Sequence, residues 1–158
     1  MNSIKKITPG IILTVITLLL SVISIIVYNT NIAGEGYFHN AAVSNAVKYN
    51  VLGIVVLAVA IVLALVPVEG VLAKVLTILS DVCRIVAPAL FIAAVLAIVT
   101  ARVEGFAFIY FSNVEVLQEV QTPANISSAH GAIANIVFLA ITAVVGIVSA
   151  FFSTRKEA

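Results

Sequence analysis

The sequence predicts an all-α transmembrane protein: a left-handed four-helix bundle with both termini in the cytoplasm and a small extracellular loop cap. Three observations predict this fold class. Hydrophobic residues make up 63% of the chain and charged residues only 9%, whereas soluble domains carry roughly 25% charged residues. Four stretches without a charged residue are long enough to cross a bilayer. The Lys and Arg residues between these stretches are unevenly distributed, which predicts the orientation.

A spanning helix needs about 20 mostly apolar residues, because ~30 Å of hydrocarbon is crossed at ~1.5 Å per residue. The charge-free stretches are 7–34, 49–68, 85–101 and 120–154. We place the spans of one four-pass domain, 1–158, at 9–28, 48–66, 83–102 and 130–152, with outer loops at 29–47 and 103–129. The first span could be a signal peptide, but its apolar core is long and no good cleavage site follows. We therefore expect a retained anchor.

Lys and Arg are enriched in the cytoplasmic loops of membrane proteins. With the N-terminus inside, the cytoplasmic side receives most of the basic residues, and the acidic residues agree loosely. The cytoplasmic set is Lys5, Lys6, Lys74, Arg84, Arg155 and Lys156, and the outer set is Lys48 and Arg102. This bias predicts that both termini are cytoplasmic. We expect a multi-pass protein of a cell membrane, in a bacterium.

Each predicted span carries small or hydroxyl residues in helical register, which lets helices approach closely in lipid. In the first span the row is Thr14, Thr17, Ser21, Ser24 and Tyr28. Its mean spacing of about 3.5 is the period of a left-handed seam. The third span has the alanine row, which is Ala89, Ala93, Ala97 and Ala101, and the fourth has Thr142, Gly146 and Ala150. These rows predict packing within the bundle or, for the alanine row above all, a docking face for another subunit.

The segment before the third span leaves two possibilities. Residues 67–70 form a turn, and residues 71–82 continue an apolar pattern. Either the third helix extends below the membrane, or a short interfacial helix precedes it. Asp81 and Arg84 are three residues apart and share a helical face, which predicts a solvated ion pair at the membrane edge. A substrate or gating role for this pair is the alternative.

The second outer loop contains several local signals. Residues 105–111 are aromatic and β-prone, so we expect a short strand or a segment that lies on the bilayer surface. Ser112 and Glu115 have the capping-box spacing, which predicts a short helix through Gln121. Thr122 and Pro123 then have the pattern of an N-cap and first helical position. The fourth helix is therefore expected to begin near residue 123.

Few side chains are candidates for binding a solute. His39 and His130 lie at the outer boundary, Glu104 and Glu115 lie on the same side, and Asn135 lies inside a span. If they converge, these five residues form an outward-facing pocket for a small apolar or weakly polar solute. The alternatives are that each histidine is an interfacial hydrogen-bonding group and that Asn135 makes an interhelical hydrogen bond.

The sequence contains no motif for a reaction. It lacks a Gly-x-Ser-x-Gly elbow, a His-Glu-x-x-His pair and a phosphate-binding glycine loop. No pair of metal ligands has motif spacing, and no Asp or Glu lies mid-bilayer, where most coupled transporters keep one. Cys83 is the single cysteine, so no intramolecular disulfide forms. We therefore expect no catalytic activity, no cofactor and no metal, and the lack of a basic stripe predicts no nucleic-acid binding.

Three functions are consistent with these features. The first is a non-catalytic protein that acts in the lipid bilayer through helix–helix association, as an accessory subunit or a homo-oligomer. The second is the binding or transport of a small solute through a pocket near His39, His130 and Asn135. The third is an enzyme that uses the two outer histidines.

Overall fold

The computed structural model of the protein describes residues 8–155, and these residues form five α-helices. The helices are α1 (Pro9–Ala33), α2 (Ser44–Leu65), α3 (Gly70–Phe111), α4 (Val114–Val120) and α5 (Pro123–Ala150). Helices make up 84% of the described residues, which contain no strand. All except α4 are long and apolar enough to cross a membrane. The prediction of four apolar spanning helices is confirmed, whereas Lys5, Lys6 and Lys156, which contribute to the predicted orientation, lie outside the described residues.

Both α1 and α5 begin with a threonine followed by a proline. The Thr8 hydroxyl oxygen accepts from the backbone N–H of Ile11 at 3.4 Å, and that of Thr122 accepts from Asn125 at 3.2 Å. These contacts satisfy N–H groups that have no partner within the helix. The predicted start of the fourth spanning helix near residue 123 is therefore confirmed.

The third spanning helix is longer than predicted. It is one continuous helix of 42 residues with Pro88 inside it, so residues 71–82 extend this helix instead of forming a separate one. The prediction of a strand or a surface segment at 105–111 was wrong. The buried residues Ile98, Arg102, Gly105 and Ile109 continue one helical face at spacings of 4, 3 and 4, and this burial outweighs the β propensity of the aromatic residues.

The loops are correspondingly shorter than predicted. The first runs over residues 34–43 instead of 29–47, and most of 103–129 is helical. The N-cap of α4 is Asn113 and not Ser112, since the Asn113 side chain accepts from Val116 N–H at 3.0 Å. The Ser112 hydroxyl instead donates to the Phe108 carbonyl at 2.8 Å. It thus satisfies an acceptor at the end of α3 and leaves the N-cap position to its neighbour.

The long helices pack as two closely associated pairs. α2 packs mainly on α3, and α1 packs mainly on α5. The two pairs are joined chiefly by the contact between α3 and α5, because α1 and α2 contact each other less. Gly10 lies so close to the end of α5 that a Cβ atom there would be 2.5 Å from the Ser153 carbonyl oxygen. We call this the terminal end of the bundle. The opposite end, which carries loop 34–43 and α4, is the cap end.

Small residues allow close contact between α2 and α3. A Cβ atom on Gly53 would lie 2.4 Å from Cε1 of Phe91, and the Phe91 ring is completely buried. The ring therefore occupies the space that the missing side chain leaves. On α1 the predicted row of hydroxyl residues is buried along its whole length, and its members are Thr14, Thr17, Ser21, Ser24 and Tyr28.

Substituting Gly53 by Val should lower the free energy of unfolding by about 1–3 kcal/mol, because the buried Phe91 ring has no space to move into. The matched control is Val55→Leu, at a position on the same helix that is 52% exposed, and it should leave stability unchanged. Unfolding in detergent can be followed by the reaction of Cys83, the single cysteine, with a thiol-reactive dye. Equal midpoints for the two variants would contradict this account of the α2–α3 contact.

Candidate functional site

The most extensive polar cluster inside the bundle surrounds Arg84 of α3, whose side chain is only 1% exposed. Its Nε donates to the Thr14 hydroxyl on α1 at 3.1 Å, and its Nη1 donates to the Asp81 carboxylate at 3.0 Å. Its Nη2 donates to two carbonyl groups at the end of α5, those of Ser149 and of Phe152, the latter at 2.9 Å. One guanidinium thus joins three spanning helices near the terminal end.

This arrangement differs from the solvated ion pair that the spacing of Asp81 and Arg84 predicts. The pair is present, with Asp81 45% exposed, but most of the partners of Arg84 are buried protein groups. The last carbonyls of a helix have no partner within it, and a positive charge is favourable at a helix C-terminus. Arg84 therefore acts first as a cap for α5, and the carboxylate is one of several partners.

Arg155 caps the C-terminal end of α2 in the same way. Its Nη2 donates to the carbonyl oxygens of Leu63 at 3.0 Å and Val66 at 3.2 Å. These groups lie at the C-terminal end of α2, beside the chain that follows α5. The two arginines therefore tie the ends of α2 and α5 into one hydrogen-bonded unit at the terminal end.

A third arginine organises the cap end. Arg102 is 3% exposed and donates to the Ala41 carbonyl in loop 34–43. Its guanidinium carbon lies 4.4 Å from the centre of the Phe38 ring, within cation–π range. The Phe38 backbone N–H is bound in turn by the Ser128 hydroxyl of α5 at 3.1 Å. Loop 34–43 is consequently folded onto α3 and α5 as a packed cap.

Asn135 of α5 makes an interhelical hydrogen bond in the cap half of the bundle. Its Nδ2 donates to the Ser24 carbonyl at 2.8 Å and the Ser24 hydroxyl at 3.2 Å. Its side chain is 2% exposed, so it does not open to solvent. The sequence suggested either a role in solute binding or an interhelical hydrogen bond for Asn135, and the structure contains the hydrogen bond.

A small cavity lies beside Asn135 between α1, α2, α3 and α5. Its volume is about 20 Å³, and its lining includes Tyr28, Asn29, Asn50 and Asn135. Asn50 is 4% exposed. Asn50 falls near the edge of the predicted second span and is not among the predicted binding residues. The spacing from Asn50 to Gly53 and Leu57, all buried on one face of α2, is the signal that could have identified it.

The predicted binding residues differ in their exposure to solvent. His39 and His130 are both exposed, as are Glu104 and Glu115, whereas Asn135 is buried. His39 makes local contacts with the Gly34 carbonyl and the Asn40 side chain, each at 2.8 Å. Within residues 8–155 no three His, Cys, Asp or Glu side chains are grouped so that they could hold a metal ion.

An open groove of about 410 Å³ runs between α1 and α5 at the cap end. Polar groups of Thr30, Asn31, Glu35 and Ser127 line it. None of the five predicted binding residues is in this lining, and Asn135 is the only one of them in the lining of the small cavity. Neither histidine lines the groove or the small cavity.

The alanine row of α3 lies partly outside the packed core, and Ala97 packs against that core. Ala89 and Ala101 are exposed, and Ala93 and Ala97 are half-buried. The face that α3 buries instead carries Ala87, Phe91, Ala94 and Ile98. In contrast, the other predicted packing residues, Ser21 and Ser24 of α1 and Gly146 of α5, are all buried. A Cβ atom on Gly146 would lie 2.9 Å from the Pro88 ring, so α5 contacts α3 closely at Pro88.

Replacing Arg84 by Met should reduce the free energy of unfolding by about 2–4 kcal/mol, since buried carbonyls at the end of α5 lose a charged donor. Arg84→Lys should have an intermediate effect, because an ammonium cannot reproduce the fork of a guanidinium. Asp81→Asn should cost less than about 1 kcal/mol, because Asp81 is half exposed. Dye reaction at Cys83 again measures the midpoints. If Asp81→Asn were as harmful as Arg84→Met, the ion pair and not the helix cap would be the main role of Arg84.

Comparison with known proteins identifies no relative. No family model, curated protein or solved structure matches the chain. The packing, the polar contacts and the exposed faces of the bundle are therefore the basis for a functional proposal.

Proposed function

We propose that this chain is a four-pass cell-membrane protein that acts, without catalysis, through helix–helix association as an accessory subunit or a homo-oligomer. Its bundle is left-handed, and both termini lie in the cytoplasm. The observation that carries the proposal is the exposure of Ala89 and Ala101 in the alanine row on α3. The non-catalytic part rests on the sequence, which contains no catalytic motif.

Small side chains on an exposed helix face have a specific value in lipid. Lipid tails are as apolar as leucine, so helices associate through close packing and not through a hydrophobic driving force. The alanine row forms a shallow strip, because the exposed positions next to it carry bulky side chains, among them Ile85, Ile92, Leu96 and Val103. A second helix could approach the α3 backbone closely along this strip, which is the geometry that small-xxx-small rows favour.

The solute-binding alternative has less support. It requires His39, His130 and Asn135 to share an outward-facing pocket, and both histidines are exposed while Asn135 is buried and bonded to Ser24. The enzymatic alternative requires the same two histidines to act together. Association through α3 needs no convergence of polar groups, and for this reason we prefer it.

The orientation rests on the basic residues. Arg155 lies at the terminal end, and Lys48 and Arg102 lie towards the cap end. Together with Lys5, Lys6 and Lys156, this distribution favours a cytoplasmic terminal end. The cap formed by loop 34–43 and α4 would then be extracellular.

Single cysteines introduced into a Cys83→Ala background test the orientation. A cysteine at Gln118, an exposed position in α4, should react with a membrane-impermeant maleimide in intact cells. A cysteine at Phe152, exposed at the terminal end, should react only after permeabilisation, because positively charged flanks are retained inside. Labelling of both positions in intact cells, or of Phe152 alone, would contradict the proposed topology.

A photocrosslinking amino acid in place of Ala93 tests the association. In native membranes it should give adducts with protein, either a second copy of this chain or a different one. The matched control is Val55, a residue of α2 that is 52% exposed and lies on a different helix from the alanine row, where adducts with lipid are expected. Lipid adducts alone at both positions would contradict association through the alanine row.

The substitution Ala93→Leu is a second test of association through the alanine row. The larger side chain should weaken association by about 1–2 kcal/mol, because it prevents close approach of the partner helix. Val55→Leu should leave association unchanged, because this exposed residue lies on α2. Native mass spectrometry in mild detergent, before and after each substitution, measures the fraction of assembled protein.

A further inference from the structure

Two buried asparagines on different helices each present an unpartnered oxygen beside one cavity. Asn50 belongs to α2 and Asn135 to α5, and their side chains are 4% and 2% exposed. Among the described residues, the Oδ1 atom of neither side chain has a hydrogen-bond donor. Both residues line the same cavity of about 20 Å³. These two unpartnered oxygens and their shared cavity are observations independent of the alanine row and of the proposed association.

Such acceptors are costly in a membrane-spanning bundle. A buried amide oxygen without a donor loses its hydration and gains nothing in return. The Asn135 amide donates through its Nδ2 to Ser24, whereas its Oδ1 atom has no donor among the described residues. The occupant that relieves both oxygens must therefore donate two hydrogen bonds from within a space of this size.

A third group restricts the chemistry further. The oxygen of Tyr28, which also lines the cavity, accepts from the Val43 backbone N–H. Its own O–H is consequently free to donate. An occupant that donates twice and accepts once would match the three groups. A buried water typically makes about three hydrogen bonds and needs a volume of about 10–15 Å³.

We propose that this cavity is a binding site for one water molecule, which donates to the Oδ1 atoms of Asn50 and Asn135 and accepts from the Tyr28 hydroxyl. A bare cation fits less well, because hard cations take about six oxygen ligands, and two amide oxygens and a phenol supply half that number. The lining carries no formal charge, which also favours a neutral ligand.

The site lies where the bundle has least direct contact between its helix pairs. α1 and α2 contact each other less than the other neighbouring long helices do. The water would provide a polar link from α2, through Asn50, to the α1–α5 pair, through Tyr28 and Asn135. Asn29 is exposed and borders the same cavity, so it marks the route by which water exchanges with the cap-end surface.

Hydroxyl-radical footprinting by X-ray exposure of the intact protein, with readout by mass spectrometry, tests this site. Radiolysis of a bound water oxidises the aromatic ring beside it, even when that ring is buried. Tyr28 is 6% exposed and Phe91 is 0% exposed, and the cap-end rings Tyr37 and Phe108 are 43% and 41% exposed. The rate of each buried ring is divided by that of the exposed ring of the same type, Tyr28 by Tyr37 and Phe91 by Phe108. We expect the ratio for tyrosine to exceed the ratio for phenylalanine several-fold. Equal ratios mean a dry cavity and overturn the proposal.

Asn50→Leu removes one acceptor and fills part of the space. In a variant that retains cooperative unfolding by the Cys83 assay, Tyr28 oxidation should fall to the relative rate of Phe91. An unchanged rate would overturn the proposal. If the variant does not fold, the comparison of Tyr28 with Phe91 in the unmodified chain still decides. Replacing sodium chloride by choline chloride should change neither stability nor footprint, and a sodium-dependent shift would identify a cation site instead.

Discussion

Hydrocarbon offers no hydrogen-bond partner to a peptide group, so each backbone donor and acceptor at membrane depth needs a partner within the protein. Helices satisfy this requirement except at their ends. In this chain arginines supply the missing donors, Arg84 at the end of α5 and Arg155 at the end of α2. Arg102 does the same for a carbonyl of loop 34–43. A guanidinium offers five donors, so very few charged residues are needed to satisfy these carbonyl groups.

The hydroxyl groups between the helices serve mainly their own backbones. Thr14 and Thr17 of α1 each donate to the carbonyl four residues earlier, at 2.7 and 2.8 Å, and Thr142 of α5 does the same at 2.8 Å. Their protons are thus satisfied before another helix approaches. The contact between α1 and α5 therefore depends on the small size of these side chains, and direct polar bonds such as that from Asn135 to Ser24 are added at single points.

The spanning helices and the buried face of α1 could be predicted because charge-free stretches and the spacing of small residues are local properties of the sequence. The extent of α3 could not, because residues 105–111 are held by a distant contact: a Cβ atom on Gly105 would lie 2.5 Å from the Phe38 ring. Burial of Arg84 likewise depends on carbonyls of α5 more than sixty residues away. The unpartnered oxygen of Asn50 depends on how four helices meet around one cavity, which no single segment specifies.

The length of α3 has a consequence for the shape of the protein in its membrane. Its 42 residues extend over about 63 Å at 1.5 Å per residue, roughly twice the hydrocarbon thickness of ~30 Å. Full immersion would require a tilt of about 60°, well beyond the ~40° limit seen for membrane helices. Part of α3 therefore stands in the headgroup region or in water, as an uninterrupted helical column. A force applied to the column at one surface of the bilayer is transmitted to the other without passing through a hinge loop.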